Sequence, residues 1–189
     1  SMSRIVLVLL FMFIPTIAMS GFIVQESLLY HSWSDDVDDF SYNRLNNWLF
    51  FGAGLNKDNT FFLGYSYYQW SKEHIKSDGA DPSKMDITEF GVQLTWFLGD
   101  KANWKISGTY SPYVRGTRTL ATVDQEIDGK SYIGSFGYQF PIGKTFFIGG
   151  SFNYYNLNIS SYTVDDDATE VSETYTDIFP MLEFSMRFR

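Results

Sequence analysis

The pattern that most constrains the fold lies at residues 88–98, TEFGVQLTWFL. Large apolar side chains occupy every second position, and the positions between them are small or polar, including Glu89 and Gln93. A period of two is typical of a β-strand whose two faces meet different surroundings. Because the apolar face is long and bulky, the pattern favours a strand between lipid and a polar interior that is filled by side chains.

The same alternation recurs along the chain and predicts eight strands with no helix between them. Dense turn-forming residues lie near residues 57, 101 and 142, and the connections between these turns are longer. Short and long connections therefore alternate strictly, as in an outer-membrane barrel. The predicted fold is all-β: an eight-stranded antiparallel up-and-down transmembrane β-barrel with short periplasmic turns and long extracellular loops.

Two strands depart from simple alternation. Pro112 interrupts the fifth strand, and because proline cannot donate a ladder hydrogen bond we expect a bulge or a local break there. Apolar residues fall on both faces of the first strand, so its register is left unassigned.

The N-terminal segment and the composition limit the possible domain organisation. Ser1, which precedes Met2, is interpreted as a cloning remnant. Arg4, a short apolar run and small residues before Gly21 predict a signal peptide at 1–20 and a barrel at 21–189. The run is shorter than the roughly 20 residues that a membrane helix needs. The chain lacks cysteine, which excludes disulfides, and its net charge of −8 argues against a nucleic-acid partner.

Alternation alone leaves open which face points outward, because a lipocalin-type barrel has eight strands with its apolar face inward. Eight strands enclose an interior just wide enough for side chains. The chain has 18 Phe, 13 Tyr and 5 Trp, and the rings of the apolar faces would not fit there. We therefore expect the apolar face to contact lipid.

Aromatic residues of the apolar faces are predicted to form two belts at the two water interfaces. The belt beside the short turns comprises Phe61, Trp96, Trp104, Phe140 and Phe146. The belt toward the long loops comprises Tyr67, Tyr110, Tyr132 and Tyr154.

The inward face is predicted to carry a polar network, whose charges must be paired in a narrow lumen. Its members are Glu89, Gln93, Lys105, Arg115, Gln139, Glu183 and Arg187. One interpretation is a gated ion path. The favoured one is a structural network that plugs the barrel, because eight strands leave no open channel.

The sequence contains residues that a hydrolase could use, but we assign no catalytic site. His31 and His74 could serve a lipid hydrolase with Ser32, Ser160 or Ser161 as nucleophile, but no spacing singles out a triad. Acidic residues concentrate in the predicted loops, where they could bind a divalent cation or a basic partner. We favour a solvated outer surface, and we assign no metal and no cofactor. These acidic residues are Asp35, Asp36, Asp38, Asp39, Asp78, Asp81, Asp124, Glu126, Asp128, Asp165, Asp166, Asp167, Glu170 and Glu173.

With these strands and the final segment FPMLEFSMRFR, the chain resembles the small outer-membrane barrels of the OmpA, OmpX and OmpW type. The resemblance implies a location in the outer membrane of a Gram-negative bacterium. It also implies insertion by the barrel-assembly machinery and contact with outer-membrane lipid and lipopolysaccharide. The family usually ends on an aromatic residue, whereas here Phe188 is followed by Arg189.

The sequence is compatible with three functions, because a fold of this kind hosts many roles. The first is a non-enzymatic barrel with a structural or surface-interaction role. The second is a narrow channel for small solutes, with Glu89, Lys105, Glu183 and Arg187 as gate residues. The third is an enzyme that modifies lipopolysaccharide.

Overall fold

The computed structural model describes residues 21–35, 40–75, 83–120 and 122–188. The predicted signal peptide and the acidic residues at 36, 38, 39, 78 and 81 lie outside these ranges. In the described ranges, no helix is long and apolar enough to cross a membrane.

Eight antiparallel strands form one closed barrel in which each strand pairs with the next and β8 pairs with β1. This arrangement confirms the predicted fold class. The strands are β1 Phe22–Asp35, β2 Phe40–Gly54, β3 Phe61–Ile75, β4 Lys84–Leu98, β5 Trp104–Leu120, β6 Val123–Pro141, β7 Phe146–Val164 and β8 Asp167–Phe188.

The strands are staggered as the barrel closes. Paired positions followed around the sheet from Phe22 lead to Ile178 on β8, whereas Phe22 itself pairs with Phe188. These two β8 residues are ten positions apart. A stagger of this kind tilts the strands by about 40° from the barrel axis.

The short turns form as predicted. In the β2–β3 turn, the Asn56 side-chain oxygen accepts hydrogen bonds from the backbone N–H groups of Thr60 and Phe61, each at 3.0 Å. In the β4–β5 turn, Gly99 adopts a φ of +85°, and its carbonyl accepts the N–H of Ala102 at 2.9 Å. Local side-chain and glycine chemistry thus sets these connections.

Two of the connections that were predicted to be long loops are instead extended β-hairpins. β7 and β8 are joined by Asp165 and Asp166 alone, both with positive φ, which suits a tight hairpin turn. The loop prediction was wrong here because inward side chains continue above the acidic turn formers. Tyr162, Val171 and Tyr175 pack on the cluster in the lumen and keep both strands in register.

The bulge expected at Pro112 is present, since the β5–β6 register shifts between Ser111 and Val114. The shift exchanges the two faces of β5: Val114 is 1% exposed, whereas Arg115 points outward. The prediction that Arg115 lines the lumen was therefore wrong. Its guanidinium lies 3.4 Å from an Asp128 carboxylate oxygen on the outer surface, where both side chains are largely exposed.

The structure shows which residues of β1 point inward, which the sequence pattern did not assign. Ile23, Gln25 and Ser27 point into the barrel, where all three are buried. β1 and β8 pair over seven positions only, residues 22–28 with residues 182–188. Pro180 lies two residues beyond the last pair and has no N–H to donate, a position typical of a sheet edge.

The outer surface carries the apolar face, as expected for a barrel in lipid and opposite to a lipocalin. Phe90 and Phe152 are 62% and 68% exposed, and they belong to a band of outward apolar residues on β3–β8. All nine residues of the predicted aromatic belts point outward and are exposed or half-exposed. Within the described residues, the barrel interior holds two hydrophobic clusters, separated along the axis by polar side chains.

Candidate functional site

The lumen is the candidate functional site because it gathers most of the polar residues predicted from the sequence. With Arg115 excluded, the other six predicted members are all buried inside the barrel. These are Glu89, Gln93, Lys105, Gln139, Glu183 and Arg187.

The part of the lumen nearer the short turns holds what we call the turn-side network, which comprises Gln25, Lys105, Gln139, Glu183, Ser185 and Arg187. Lys105 on β5 forms an ion pair with Glu183 on β8, and both side chains are fully buried. Gln139 on β6 donates to the second Glu183 oxygen at 3.0 Å. A buried carboxylate with a cation and an amide donor has both of its oxygens satisfied.

Gln139 connects this ion pair to the end of β8. Its side-chain oxygen accepts the Ser185 hydroxyl at 2.7 Å and the Arg187 Nη2 at 2.8 Å. Its amide nitrogen also donates to the Gln25 side-chain oxygen at 3.2 Å. These side chains therefore join the neighbouring strands β5 and β6 to the neighbouring strands β8 and β1 on the other side of the lumen.

Arg187 closes the network at the turn end. Its Nη1 donates to the Ala102 carbonyl at 2.8 Å, and its guanidinium lies 3.5 Å from the ring centre of Phe97 and 3.9 Å from that of Phe147. Stacking on both sides is a geometry that the planar guanidinium suits and an ammonium does not. A compact apolar cluster, Ile23, Phe50, Phe62, Phe97 and Ala102, lies at the same end.

Glu89 lies farther from the short turns and is compensated differently. Its two oxygens accept hydrogen bonds from the hydroxyls of Ser131 and Tyr155. The indole N–H of Trp70 donates in turn to the Tyr155 hydroxyl at 3.3 Å. Among the described residues, no lysine or arginine forms an ion pair with Glu89.

Aromatic residues surround Glu89 and fill the lumen at its level. Trp48, Tyr68, Trp70, Tyr155 and Phe179 belong to one buried cluster. Tyr155 meets both Tyr68 and Trp70 edge to face, each at a centroid distance of 5.8 Å. We call this cluster the aromatic plug, because rings of this size leave little free cross-section in an eight-stranded barrel.

Two ion pairs lie above the aromatic plug, toward the outer end. Arg44 and Asp177 approach to 2.6 Å, and the Arg44 guanidinium lies 4.4 Å from the Phe179 ring centre. This pair links β2 to β8 across β1, where the β1–β8 ladder has ended. Arg118 binds Glu173 through both terminal nitrogens, at 2.5 and 3.2 Å. These hydrogen bonds from Arg118 lower the pKa of Glu173 below its ordinary value.

Several lumen residues were missed at the level of sequence. Gln25 was not predicted to line the lumen because the register of β1 was left unassigned. Ser185 was not predicted to belong to the network because its side chain is small. Both are buried in the lumen. Arg44 and Asp177 were missed because the alternation predicts that the second strand begins at Asn46 and the eighth at Ile178, just beyond each of these residues. Gln93 is buried as predicted, but it donates to Thr95 at 3.0 Å and, among the described residues, forms no hydrogen bond with the turn-side network.

The residues weighed for catalysis are not assembled into a triad. The Ser32 hydroxyl donates to the Asn43 side-chain oxygen at 2.6 Å, and that of Ser160 donates to the Asp128 carbonyl at 3.2 Å. His31 contacts the ring of Tyr42 at a centroid distance of 5.4 Å. In the described part of the chain, no group of three or more candidate ligands could hold a metal.

Comparison with solved structures places the chain by its fold. Neisserial surface protein A (NspA) superposes with a TM-score of 0.53 at 11% identity, over 88% of this chain and 96% of that one. The translocator domain of autotransporter NalP from Neisseria meningitidis gives 0.42 at 14% identity, over 88% and 61%. No family model matches the sequence, and no curated protein matches it.

The predicted resemblance to small eight-stranded outer-membrane barrels is confirmed at the level of fold by the likeness to NspA. A closed sheet satisfies every backbone group between strands, which is what a lipid environment demands. The outward apolar band supplies the matching surface. The chain therefore has the architecture of a bacterial outer-membrane barrel.

Proposed function

We propose that the protein is a closed outer-membrane barrel with a structural or surface-interaction role, which it performs through its outer end. The observation that carries this proposal is the filling of the lumen at two successive levels, by the turn-side network and by the aromatic plug. Neither level is built for passage, because its polar groups are bonded to each other. A solute would have to break the Lys105–Glu183 pair and displace buried rings.

The outer end supports an interaction role. The β5–β6 and β7–β8 hairpins are built from the four longest strands that the structure describes, of 17 to 22 residues. About ten residues cross a bilayer in a tilted strand, so the remainder projects outward. Asp124, Glu126 and Asp128 lie along the exposed face of β6 there. This acidic face suits solvation or contact with a basic partner.

Two further contacts belong to the proposal. The C-terminal part of β8 presents an apolar outward face, and the barrel-assembly machinery would contact this segment during insertion. Lys130 and Arg115 lie just above the apolar band on β6 and β5, where the phosphates of lipopolysaccharide would meet basic side chains. The lipopolysaccharide contact would hold the inserted barrel in place, and neither contact requires chemistry in the lumen.

Planar-bilayer recording on the purified barrel tests the closed lumen. We expect no stable conductance from the wild-type protein. Regular single-channel steps that change with Lys105→Ala, but not with Arg115→Ala on the outer surface, would overturn the proposal and establish the narrow channel instead. The Arg115 variant is the matched control because it removes a cation from the same strand outside the lumen.

A further inference from the structure

A set of polar residues lies in the lumen between the turn-side network and the aromatic plug, and it belongs to neither. Toward the outer end, these residues come after Lys105 and Gln139 of the network and before Glu89. We call this set the mid-lumen layer. Its members are Gln93 on β4, Ser107 and Thr109 on β5 and Ser135 on β6.

Each residue of the mid-lumen layer has a buried side-chain oxygen without a hydrogen-bond partner among the residues that the structure describes. All four residues are at most 5% exposed. The amide nitrogen of Gln93 donates to Thr95 at 3.0 Å, so only its oxygen is left without a partner. Buried polar groups in folded proteins nearly always bond to a protein group or to an ordered water. Four such oxygens on one wall of the lumen therefore indicate a bound polar molecule.

The four oxygens are arranged in two cross-strand pairs. Gln93 is the register partner of Thr109, and Ser107 is the register partner of Ser135. Ser107 and Thr109 lie two residues apart on the same face of β5, so the two pairs adjoin. Partners of this kind have Cβ atoms about 4.5–5.5 Å apart. A molecule of the size of water therefore fits between the two side-chain oxygens of a pair and bonds to both.

Small residues border the mid-lumen layer on both sides and leave room in front of it. Ser66 on β3 pairs with Gly91 on β4, and Ser151 on β7 pairs with Gly137 on β6. All four of these residues point inward and are buried. The wall from β3 to β7 is thus lined at this level by short side chains and glycine, whereas the aromatic plug beyond it is filled by rings.

We propose that the mid-lumen layer is a binding site for a cluster of ordered water molecules, enclosed between the turn-side network and the aromatic plug. One water bridges Ser107 and Ser135, and another bridges Gln93 and Thr109. A hydroxyl group donates and accepts, as water does. A buried water makes about three hydrogen bonds. Two bonds come from the pair that each water bridges, and the third joins the two waters where the pairs adjoin.

The chemistry of the mid-lumen layer favours water over an ion or an organic solute. Its four side chains are neutral, so they offer no opposite charge to an ion. An apolar occupant would leave the four oxygens without partners, which is costly in a buried site. The turn-side network on one side and the aromatic plug on the other leave no wide entry, so the occupant is a small molecule that the barrel encloses as it folds. The lumen is then closed at two levels with hydrated space between them.

A high-resolution crystal structure of the wild-type barrel tests the site directly. We expect density for one water within about 2.5–3.0 Å of the hydroxyls of Ser107 and Ser135, and for a second at the same distance from the Gln93 oxygen and the Thr109 hydroxyl. In crystals of Thr109→Val the second water should be lost or displaced, whereas the first should remain and serves as the internal control. Direct hydrogen bonds within each pair with no density between them, or density for a larger molecule, would overturn the proposal.

Urea unfolding in lipid vesicles separates a hydrated layer from a dry one. Thr109→Val keeps the shape of the side chain and removes only the hydroxyl. If a water bonds to that hydroxyl, the variant removes one of the partners of the water, and the urea midpoint should fall. In a dry layer the hydroxyl has no partner and is costly, so its removal would raise the midpoint.

Thr95→Val is the matched reference for the unfolding measurement. Thr95 is also buried, and its hydroxyl accepts the Gln93 amide at 3.0 Å, so its midpoint should fall as well. A midpoint that falls for Thr95→Val but not for Thr109→Val contradicts the proposal. Both tests are independent of the bilayer recordings, because enclosed water leaves the lumen closed to ions.

Discussion

Two carboxylates are fully buried in the same lumen, and the chain compensates them in different ways. Glu183 forms an ion pair with Lys105 and accepts a further amide donor from Gln139. Glu89 has hydroxyl donors from Ser131 and Tyr155 instead of a cation. The first belongs to the turn-side network and the second to the aromatic plug.

The difference teaches how each level of the lumen is held closed. An ion pair depends on a single partner, so loss of that partner leaves a full charge uncompensated in a dry interior. A carboxylate with two hydroxyl donors loses one hydrogen bond at a time. We therefore expect the turn-side network to be the more sensitive of the two levels to a single substitution.

Lys105→Met should have the largest effect. It keeps the length of the side chain and removes the charge, which leaves Glu183 buried without a cation. Breaking a buried pair in this way costs about 3–5 kcal/mol of unfolding free energy. Urea unfolding of the barrel in lipid vesicles, followed by tryptophan fluorescence, measures this loss.

The matched control is the double variant Lys105→Met with Glu183→Leu. Replacement of both partners by apolar groups removes the stranded charge, so most of the lost stability should return. A double variant no more stable than Lys105→Met would show that the carboxylate of Glu183 is not the source of the loss. That result would contradict the claim that an uncompensated charge makes the turn-side network the more sensitive of the two levels.

Tyr155→Phe should have an intermediate effect. It removes one of the two hydroxyl donors to Glu89 and leaves the ring in the aromatic plug. Hydrogen bonds to charged groups contribute about 1.5–3 kcal/mol, which sets the expected loss in the same unfolding assay. Tyr154→Phe alters the adjacent outward ring and should change stability by less than about 0.5 kcal/mol. Equal losses in the two variants would contradict a specific role for the bond to Glu89.

Part of the lumen could be predicted because alternate residues of a strand point to opposite faces of the sheet. Lys105 and Glu183 sit in regular strands, and their inward direction followed from the alternation alone. The same rule placed Arg115 on the wrong face. A bulge at Pro112 was expected, but the prediction did not include the exchange of inward and outward positions that follows it. One extra residue in a strand reverses every face beyond it.

Other features could not be predicted because they depend on pairing between distant strands. Tyr68 and Glu89 are register partners on adjacent strands, whereas only closure of the barrel brings Tyr155 of β7 to both of them. Turn-forming residues at 165–167 suggested a loop, although the inward side chains above them continue the strands.

Glu173→Gln should have the smallest effect and extends the comparison to a third carboxylate, at the outer end and partly in water. The Glu173 side chain is 44% exposed, and Arg118 binds it through two nitrogens. Arg118 is buried, with 7% of its side chain exposed, but water screens the Glu173 carboxylate, so the pair contributes on the order of 1 kcal/mol or less. Glutamine also keeps an acceptor oxygen for Arg118, so little should change at neutral pH.

The sign of its pH dependence distinguishes this pair from a general effect of acid. Arg118 lowers the pKa of Glu173 in the folded barrel below the ordinary value of 4.5. The folded state therefore binds this proton less readily than the unfolded chain does. The stabilisation is present above that ordinary value and is lost as the pH falls through the lowered pKa. In parallel unfolding titrations from neutral pH into this acid range, the small advantage of wild type over Glu173→Gln should shrink toward zero. An advantage that grows as the pH falls would show that the Arg118 pair does not stabilise the outer hairpins.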